Sequence, residues 1–384
     1  MKIVVIGAGP AGLYFARLRK LHHPDDQVVV FEQNDQGSTF GFGVSIANRA
    51  VSRYEAVDAD LAKRIHDASL PMPNQRFTLD GNSYLMSSTQ YGAAIERRNL
   101  LSILAAACTE LGVEIQYGAH IESLEPFKDA DLIVGADGAN SVVLELGAQD
   151  FGPTYGYLQN RFAWYGVKRS LPEAGLSFRR YGSWQLIGHY YPYTAELSTF
   201  VAEVDGPSWA SGFSKLTEQE RKEVFEDAFR QELQGETLVE NRSFWRQFRH
   251  VDNAAWQAGN RVLLGDALAV AHFSIGSGTR LAMDDALALF DVLEQADDVV
   301  NVALPEFESA RRHIRQKLMI AAQRSWDWYE DIAQHTQAPL MEFIQSFMSR
   351  TGRMSPERMA QAVPQFAADY EAYRTGAAKV TGAS

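Results

Sequence analysis

Late in the chain, HFSIGSGTR (residues 272–280) sets an imidazole, His272, ahead of three small residues, Gly276, Ser277 and Gly278, with Thr279 opening an acidic helical run. Small residues in such a place leave backbone amides uncovered, and the positive end of the helix dipole stabilises negative charge brought against it. Near the start, GAGPAG places Gly7, Gly9 and Gly12 at G-x-G-x-x-G spacing around Pro10 and Ala11. Between a strand and a helix, the first glycine permits a tight turn and the second lets a pyrophosphate approach the backbone; the third lets helix and strand pack closely. Glu32, followed by Gln33, ends a second apolar run at the distance where an acid accepts the hydroxyls of an adenosine ribose and repels a 2′-phosphate. Together these residues predict a dinucleotide site, and FAD and NAD both use this arrangement.

The elements that must position them are legible around them. KIVVI (residues 2–6) is a β-branched run of buried-strand type, LYFARLRKL continues as a helix, and QVVVFEQN supplies the second strand. A helix over about 98–111 precedes a strand from Val113, and Arg97 stands at that helix's entrance, where a guanidinium reaches a phosphate or ribityl group. DADLIVGADGANS is a strand running into Gly135, Asp137 and Gly138, a turn suited to contacting a cofactor. RVLL is another strand, ended by Gly265 and Asp266, whose carboxylate suits a ribityl hydroxyl; Leu281, Ala282, Asp285, Ala286 and Leu289 mark one face of the helix beyond. The amides of Gly276 to Gly278 then fall where the N1 and C2-carbonyl region of a reduced flavin carries its charge.

These three segments, GAGPAG with Glu32, GADGANS and GDALAVAHFSIGSGTRLAMDDA, resemble the fingerprints of the FAD-dependent aromatic hydroxylases, the single-component class A flavoprotein monooxygenases whose type member acts on p-hydroxybenzoate. The resemblance runs over roughly residues 1–295. It implies an α/β fold with one FAD across a Rossmann-like domain, a β-sheet substrate domain interleaved with it, and no separate nicotinamide domain. Departures fall at Ala269 and Phe273, where the family has histidine and proline, at Arg280 for its asparagine, and at Val143 for its arginine. GFGVSI, AHFSIGSGT and EFIQSFMSRTGRMSPERM are most similar to the branch that hydroxylates aryl-CoA thioesters such as salicylyl-CoA and 2-aminobenzoyl-CoA. HFSIG and FIQSF are shared with a sister branch acting on tryptophan-derived indoles in violacein-type pigment formation.

The expected organisation is an FAD-binding domain from residues 1–150 and 252–300, with part of 40–95 near the substrate. A substrate-binding β-sheet domain follows over 151–251, and a C-terminal helical region over 301–384, read as a brace against the FAD domain. In the middle region, Trp164, Tyr165, Trp184, His189, Tyr191 and Phe200 fall in alternating strands and offer an aromatic lining, with Trp164, Trp184, Tyr191 and Phe273 as the pocket candidates. With 384 residues, 46% hydrophobic and 22% charged, the composition is that of an ordered globular chain. The net charge of −12 argues against general nucleic-acid binding. Cys108, the only cysteine, excludes an internal disulfide and a cysteine-based zinc site, and no apolar run is long enough for a membrane span. The expected setting is cytoplasmic, as a monomer or homodimer.

No Ser-His-Asp or metal-ligand constellation stands out, and His22 and His23 lack companions, so no metal is expected. The chemistry then comes from the cofactor. The resemblance implies that NADH or NADPH reduces FAD, O2 is consumed, and a C4a-hydroperoxyflavin transfers oxygen to an electron-rich ring in a dry pocket. His272 and, more weakly, His189 are the candidates for a polar catalytic contact. An aryl-CoA thioester is the leading substrate, an indole metabolite the alternative, and a non-catalytic flavin-binding protein the reading from another class. A flavin-dependent halogenase would share the fold, but its W-x-W-x-I-P stretch is missing.

Overall fold

In the computed structural model, described for residues 1–38, 41–47, 53–270, 272–276 and 278–376, the chain forms two sheets with helices around them. The first sheet holds β1 (Lys2–Ile6), β2 (Gln27–Glu32), β6 (Glu114–Tyr117), β7 (Leu132–Gly135), β14 (Gln257–Ala258) and β15 (Arg261–Leu263) in the order β14-β15-β7-β1-β2-β6. All pairings are parallel except β14 with β15. β1 has β2 on one side and β7 on the other, so the chain turns after β1 at the point where strand order reverses, the place where α/β sheets open a crevice.

KIVVI is buried from Ile3 to Ile6 because helices cover both faces of a parallel sheet. Helix α1 (Pro10–His22) starts with proline in its first turn, where the missing N–H costs no hydrogen bond, and buries Leu13, Tyr14, Phe15 and Leu18. A side chain on Gly12 would put its Cβ 2.1 Å from the Gly7 carbonyl oxygen, so glycine alone allows α1 to sit this close to the turn. Helix α2 (Arg97–Thr109) and helix α3 (Gly278–Gln295) pack against α1. Cys108 is buried in α2 and burial raises its thiol pKa to about 12, as suits a structural cysteine.

The second sheet has nine strands, β12-β8-β11-β10-β9-β4-β5-β3 in order, with β13 also on β8. It takes β8 (Pro153–Val167), β9 (Ala174–Tyr181), β10 (Trp184–Pro192), β11 (Ser198–Val204), β12 (Leu238–Glu240) and β13 (Arg246–Asn253) from the middle of the chain. It also takes β3 (Gly43–Ala47), β4 (Leu70–Leu79) and β5 (Asn82–Glu96) from before the 151–251 stretch. One aromatic cluster, including Phe200, Phe213, Phe225 and Phe229, packs the middle strands against the Glu218–Ala228 helix. Another joins Phe77 and Phe178 to Trp328, Tyr329, Phe343 and Phe347, from helices α4 (Val300–Glu330) and α5 (Leu340–Ser349). Burying each such ring contributes about 1.5–3 kcal/mol, so the tail is held firmly on the sheet.

Candidate active site

The three glycine-bearing turns meet. Register pairs Ile6 with Gly135 and Gly135 with Leu263, so the turns that follow β1, β7 and β15 emerge side by side. A Cβ built on Gly7 would meet the Ala136 carbonyl at 2.4 Å, and one on Gly265 would come 3.4 Å from the Ala11 Cβ. Between these turns and the second sheet lies a cavity of about 1150 Å³. Gly7, Gly9, Pro10, Ala11, Glu32, Gln33, Arg97, Asp137, Gly138, Gly265, Asp266, Gly276, Gly278 and Thr279 all line it. Gly12 does not; its part is packing. Ser277 lies outside the described residues.

Whether these residues fit a flavin dinucleotide can be judged from the lining. Gly138 and Gly278 have nothing within 4 Å of a Cβ position, and Gly9 has only the Ala136 oxygen at 3.7 Å, so backbone is bared to the cavity at all three turns. Asp137 uses one oxygen to take the amides of Val142 and Val143, while its other oxygen, Oδ1, is buried without a partner. Burial raises the Asp137 pKa. Glu32 accepts from the amides of Ala8 and Asn34, both at 2.9 Å, which aims its carboxylate across the turn. Asp266 opens onto the lumen but is surrounded by protein, so loss of bulk water raises its pKa against the opposing pull of Arg315 and Arg97. Arg97 is shifted down by burial, with Asp266 and Glu32 opposing. Amides, an acid at the ribose position and a cation between two acids are the donor and acceptor set that a flavin dinucleotide requires, and the residues fit it.

The loop carrying Gly265 and Asp266 is held from below. Asp285, fully buried, takes Arg311 at 2.6 Å, the Gly265 amide at 3.2 Å and Arg315; Arg315 in turn donates to the Ala269 carbonyl at 3.2 Å. A buried acid saturated by two guanidiniums and an amide is costly to disturb from either side.

Beyond the turns the lining becomes aromatic. Trp164, Val201, His189 and Leu176 stand in register across β8, β11, β10 and β9 and form one row on the cavity face. Tyr191, two residues from His189, also lines the cavity and donates to the Gly43 carbonyl at 2.8 Å. The opposite parity sends Tyr165 and Phe200 into the cluster behind the sheet; Trp184 follows them, edge-on to Phe213. The structure therefore does not bring Trp184 to the pocket. Phe273 lines it, with Phe162 at 4.9 Å and His189 at 5.5 Å between ring centroids.

The two histidines part company. His272 is 3% exposed, packs on Phe248, Phe273 and Trp326, and places Nδ1 2.8 Å from the Ser274 hydroxyl. It is not among the cavity-lining residues. Burial, ahead of the electrostatic influence of His189 and Arg350, lowers its pKa to about 3, so it is neutral. Placed behind Phe273, it shapes the turn rather than meeting the lumen. His189 does line the cavity, and its Nε2 lies 2.9 Å from Oε2 of the buried Glu203. Asn160 holds the other Glu203 oxygen at 2.8 Å.

Sequence reasoning passed over Glu203, Tyr329, Phe347 and Arg350. The tail is more than the expected brace: Tyr329, Phe347 and Arg350 all line the cavity. The one signal for Glu203 was an acid inside the strand STFVAEV, every residue of which is buried. Among the described residues no group of three or more His, Cys, Asp or Glu could hold a metal, and no helix is long and apolar enough to cross a membrane.

A glycine-lined dinucleotide crevice opening into an aromatic chamber suits a flavoprotein that oxidises aromatic compounds. No family model matches the chain. It is, however, 35% identical to salicyloyl-CoA 5-hydroxylase of Streptomyces sp, over 91% of this chain and 70% of that protein. It is 33% identical to 3-hydroxy-4-methyl-anthranilyl-[aryl-carrier protein] 5-monooxygenase of Streptosporangium sibiricum, over 92% of this chain and 95% of the relative. With protodeoxyviolaceinate monooxygenase of Chromobacterium violaceum it shares 32% identity over 95% and 98%. The structure of 2-methyl-3-hydroxypyridine-5-carboxylic acid oxygenase superposes with a TM-score of 0.66 at 18% identity, covering 94% of this chain and 95% of that one, a likeness of fold. The chain belongs to the FAD-dependent aromatic monooxygenases.

Proposed function

We propose that this monooxygenase hydroxylates the ring of an aryl group carried as a thioester, with NADH or NADPH as reductant and O2 as oxygen source. FAD, when bound, supplies oxygen activation. The observation that carries the reading is the continuity of the cavity, from the three bared turns through the aromatic row to an open rim. That rim bears the neutral polar side chains Asn74, Gln75, Ser88 and Gln90 on β4 and β5, which suits the amide-rich arm of a pantetheine thioester passing to solvent. The relatives that act on aryl-CoA and aryl-carrier-protein substrates support it.

In this reading Gly7, Gly9 and Ala11 receive the pyrophosphate, Glu32 the adenosine ribose, Asp137, Arg97 and Asp266 the linker, and Gly276, Gly278 and Thr279 the flavin edge. Trp164, Phe273 and Tyr329 clamp the ring and keep water out, which favours oxygen transfer over loss of peroxide. His189, with Nε2–H donated to Glu203, keeps Nδ1 as an acceptor for the proton of a ring hydroxyl or amine. An indole is the second reading, favoured by the protodeoxyviolaceinate monooxygenase likeness. The deciding experiment measures NAD(P)H consumption by the FAD-loaded protein with aryl-CoA thioesters and with indoles, and identifies the product by mass spectrometry. Stimulation by indoles alone would sink the thioester reading; no stimulation by either would leave a flavin-binding protein without turnover.

A further inference from the structure

We propose that Arg350, at the C-terminal end of α5, binds the anionic oxygen of an aromatic substrate and so selects rings that carry an acidic O–H group. The assignment rests on the ring-hydroxylase reading and deepens it by naming the substituent the ring must bear. Three hydrogen bonds fix the guanidinium. Nε donates to the Ser325 hydroxyl at 2.9 Å, one terminal nitrogen to the Phe347 carbonyl at 2.7 Å and the other to the Ser274 carbonyl at 2.8 Å. Its central carbon, Cζ, lies over the Phe347 ring, 3.7 Å from the centroid. The group cannot swing out to water, and it lines the cavity.

Three bonds use three of five N–H donors. Among the described residues no carboxylate stands within ion-pair distance of Arg350, unlike Arg311 and Arg315, which share Asp285. A half-buried, fixed cation with no counter-ion is unfavourable unless something anionic arrives to meet it. Burial pulls its pKa down, with Tyr329 opposing. The titratable neighbours on the elements packed here are Tyr329, whose ionisation burial suppresses, neutral His272, and the His189–Glu203 pair beside the Tyr329 ring.

That pair completes the chemistry. His189 and Arg350 both neighbour the Tyr329 ring: His189 lies 5.3 Å from its centroid and the Arg350 guanidinium carbon 5.9 Å from it. The substrate O–H bond breaks, its proton passes to the imidazole Nδ1 of His189, and the electron pair stays on oxygen facing Arg350. A phenolate donates more electron density to its ring than a phenol, which is what an electrophilic oxygen requires. In a thioester the carboxylate is masked, so the ring oxygen is the anion left for a guanidinium to read.

The test uses the FAD-loaded protein and two probes, salicyloyl-CoA, which carries a ring O–H, and benzoyl-CoA, which does not. Binding is followed by the flavin difference spectrum, and ionisation by the near-ultraviolet phenolate band of the bound probe. The wild type is expected to hold salicyloyl-CoA as phenolate. R350M should weaken that complex roughly tenfold or more and leave benzoyl-CoA binding unchanged, with R350K between the two. Equal weakening of both probes, or a loss confined to flavin retention, would mark Arg350 as structural and overturn the proposal. So would wild-type protein that binds salicyloyl-CoA with its O–H intact, a result that needs no variant. Failure of the wild type to bind either probe would overturn the thioester reading and this assignment with it, and is told apart by the absence of any complex.

Discussion

His189 Nε2 lies 2.9 Å from Glu203 Oε2, and that carboxylate is 1% exposed. A buried acid on one strand thus orients an imidazole on the next, and only the imidazole lines the cavity. If the pair serves as a proton acceptor, H189N should lower kcat by on the order of 10²-fold and E203Q by about tenfold, with KM little changed in either. Steady-state kinetics with product counted per NAD(P)H consumed is the measurement. A fall in KM-dependent terms alone would point to substrate packing instead.

The glycines of the first turn separate binding from folding. A Cβ at Gly9 faces the cavity with only the Ala136 oxygen at 3.7 Å, whereas one at Gly12 would meet the Gly7 oxygen at 2.1 Å. G9V is therefore expected to melt like apo wild type and fail to retain FAD. G12V should lose several kcal/mol of stability by driving α1 off the sheet. The flavin-to-protein absorbance ratio, read beside thermal melts, checks both; a G9V protein that stays fully yellow would exclude the pyrophosphate role.

Glu32 offers a milder version of the same test. Its carboxylate is held by the amides of Ala8 and Asn34 and points across the crevice. E32A should weaken FAD retention at least tenfold through lost charge-assisted bonds, and dialysis against buffer followed by fluorescence titration would measure it.

Acid sensitivity follows from His272. Its pKa in the folded protein is lowered to about 3 by burial, below that of an exposed histidine. The unfolded chain then binds the extra proton first as pH falls. The stabilisation is whole above about pH 6.5 and is lost progressively from there toward pH 3, with a slope of at most about 1.4 kcal/mol per pH unit. H272N should flatten the decline in melting temperature between pH 7 and pH 4. An unchanged decline would show that other groups govern it.

Asp285 joins Arg311, Arg315 and the Gly265 amide beneath the third turn. D285N leaves two buried guanidiniums short of their acid, and about 3–5 kcal/mol of destabilisation is expected. Urea unfolding gives the size, and weaker FAD retention in the folded fraction would show that the network also positions Gly265 and Asp266.

Much of this molecule is written locally. Gly7, Gly9 and Gly12, the buried KIVVI strand and the acid at Glu32 are neighbours in one strand–turn–helix–strand unit, so spacing along the chain is already spacing in the crevice. GADGANS and GDALAV are legible for the same reason, each being a strand end followed by a bared turn. Alternation also separated the faces of the second sheet in principle. Yet it was Trp184, misjudged as lining, that showed how parity without register leaves the choice of face open. His272 illustrates a different limit: its place beside bared amides suggested chemistry, but Phe273 stands between it and the lumen.

What only the tertiary structure decided is the company each side chain keeps across long stretches of chain. Glu203 is an acid in an apolar strand until β10 lies beside it and supplies His189. Arg350 is one of several tail arginines until α5 docks on the second sheet and carries it past Ser274 and Ser325 into the cavity wall. Sequence periodicity reports which face of an element is apolar, because that depends on the element alone. It carries no record of which elements will share that face, since pairings between distant segments are chosen by the packing of the whole.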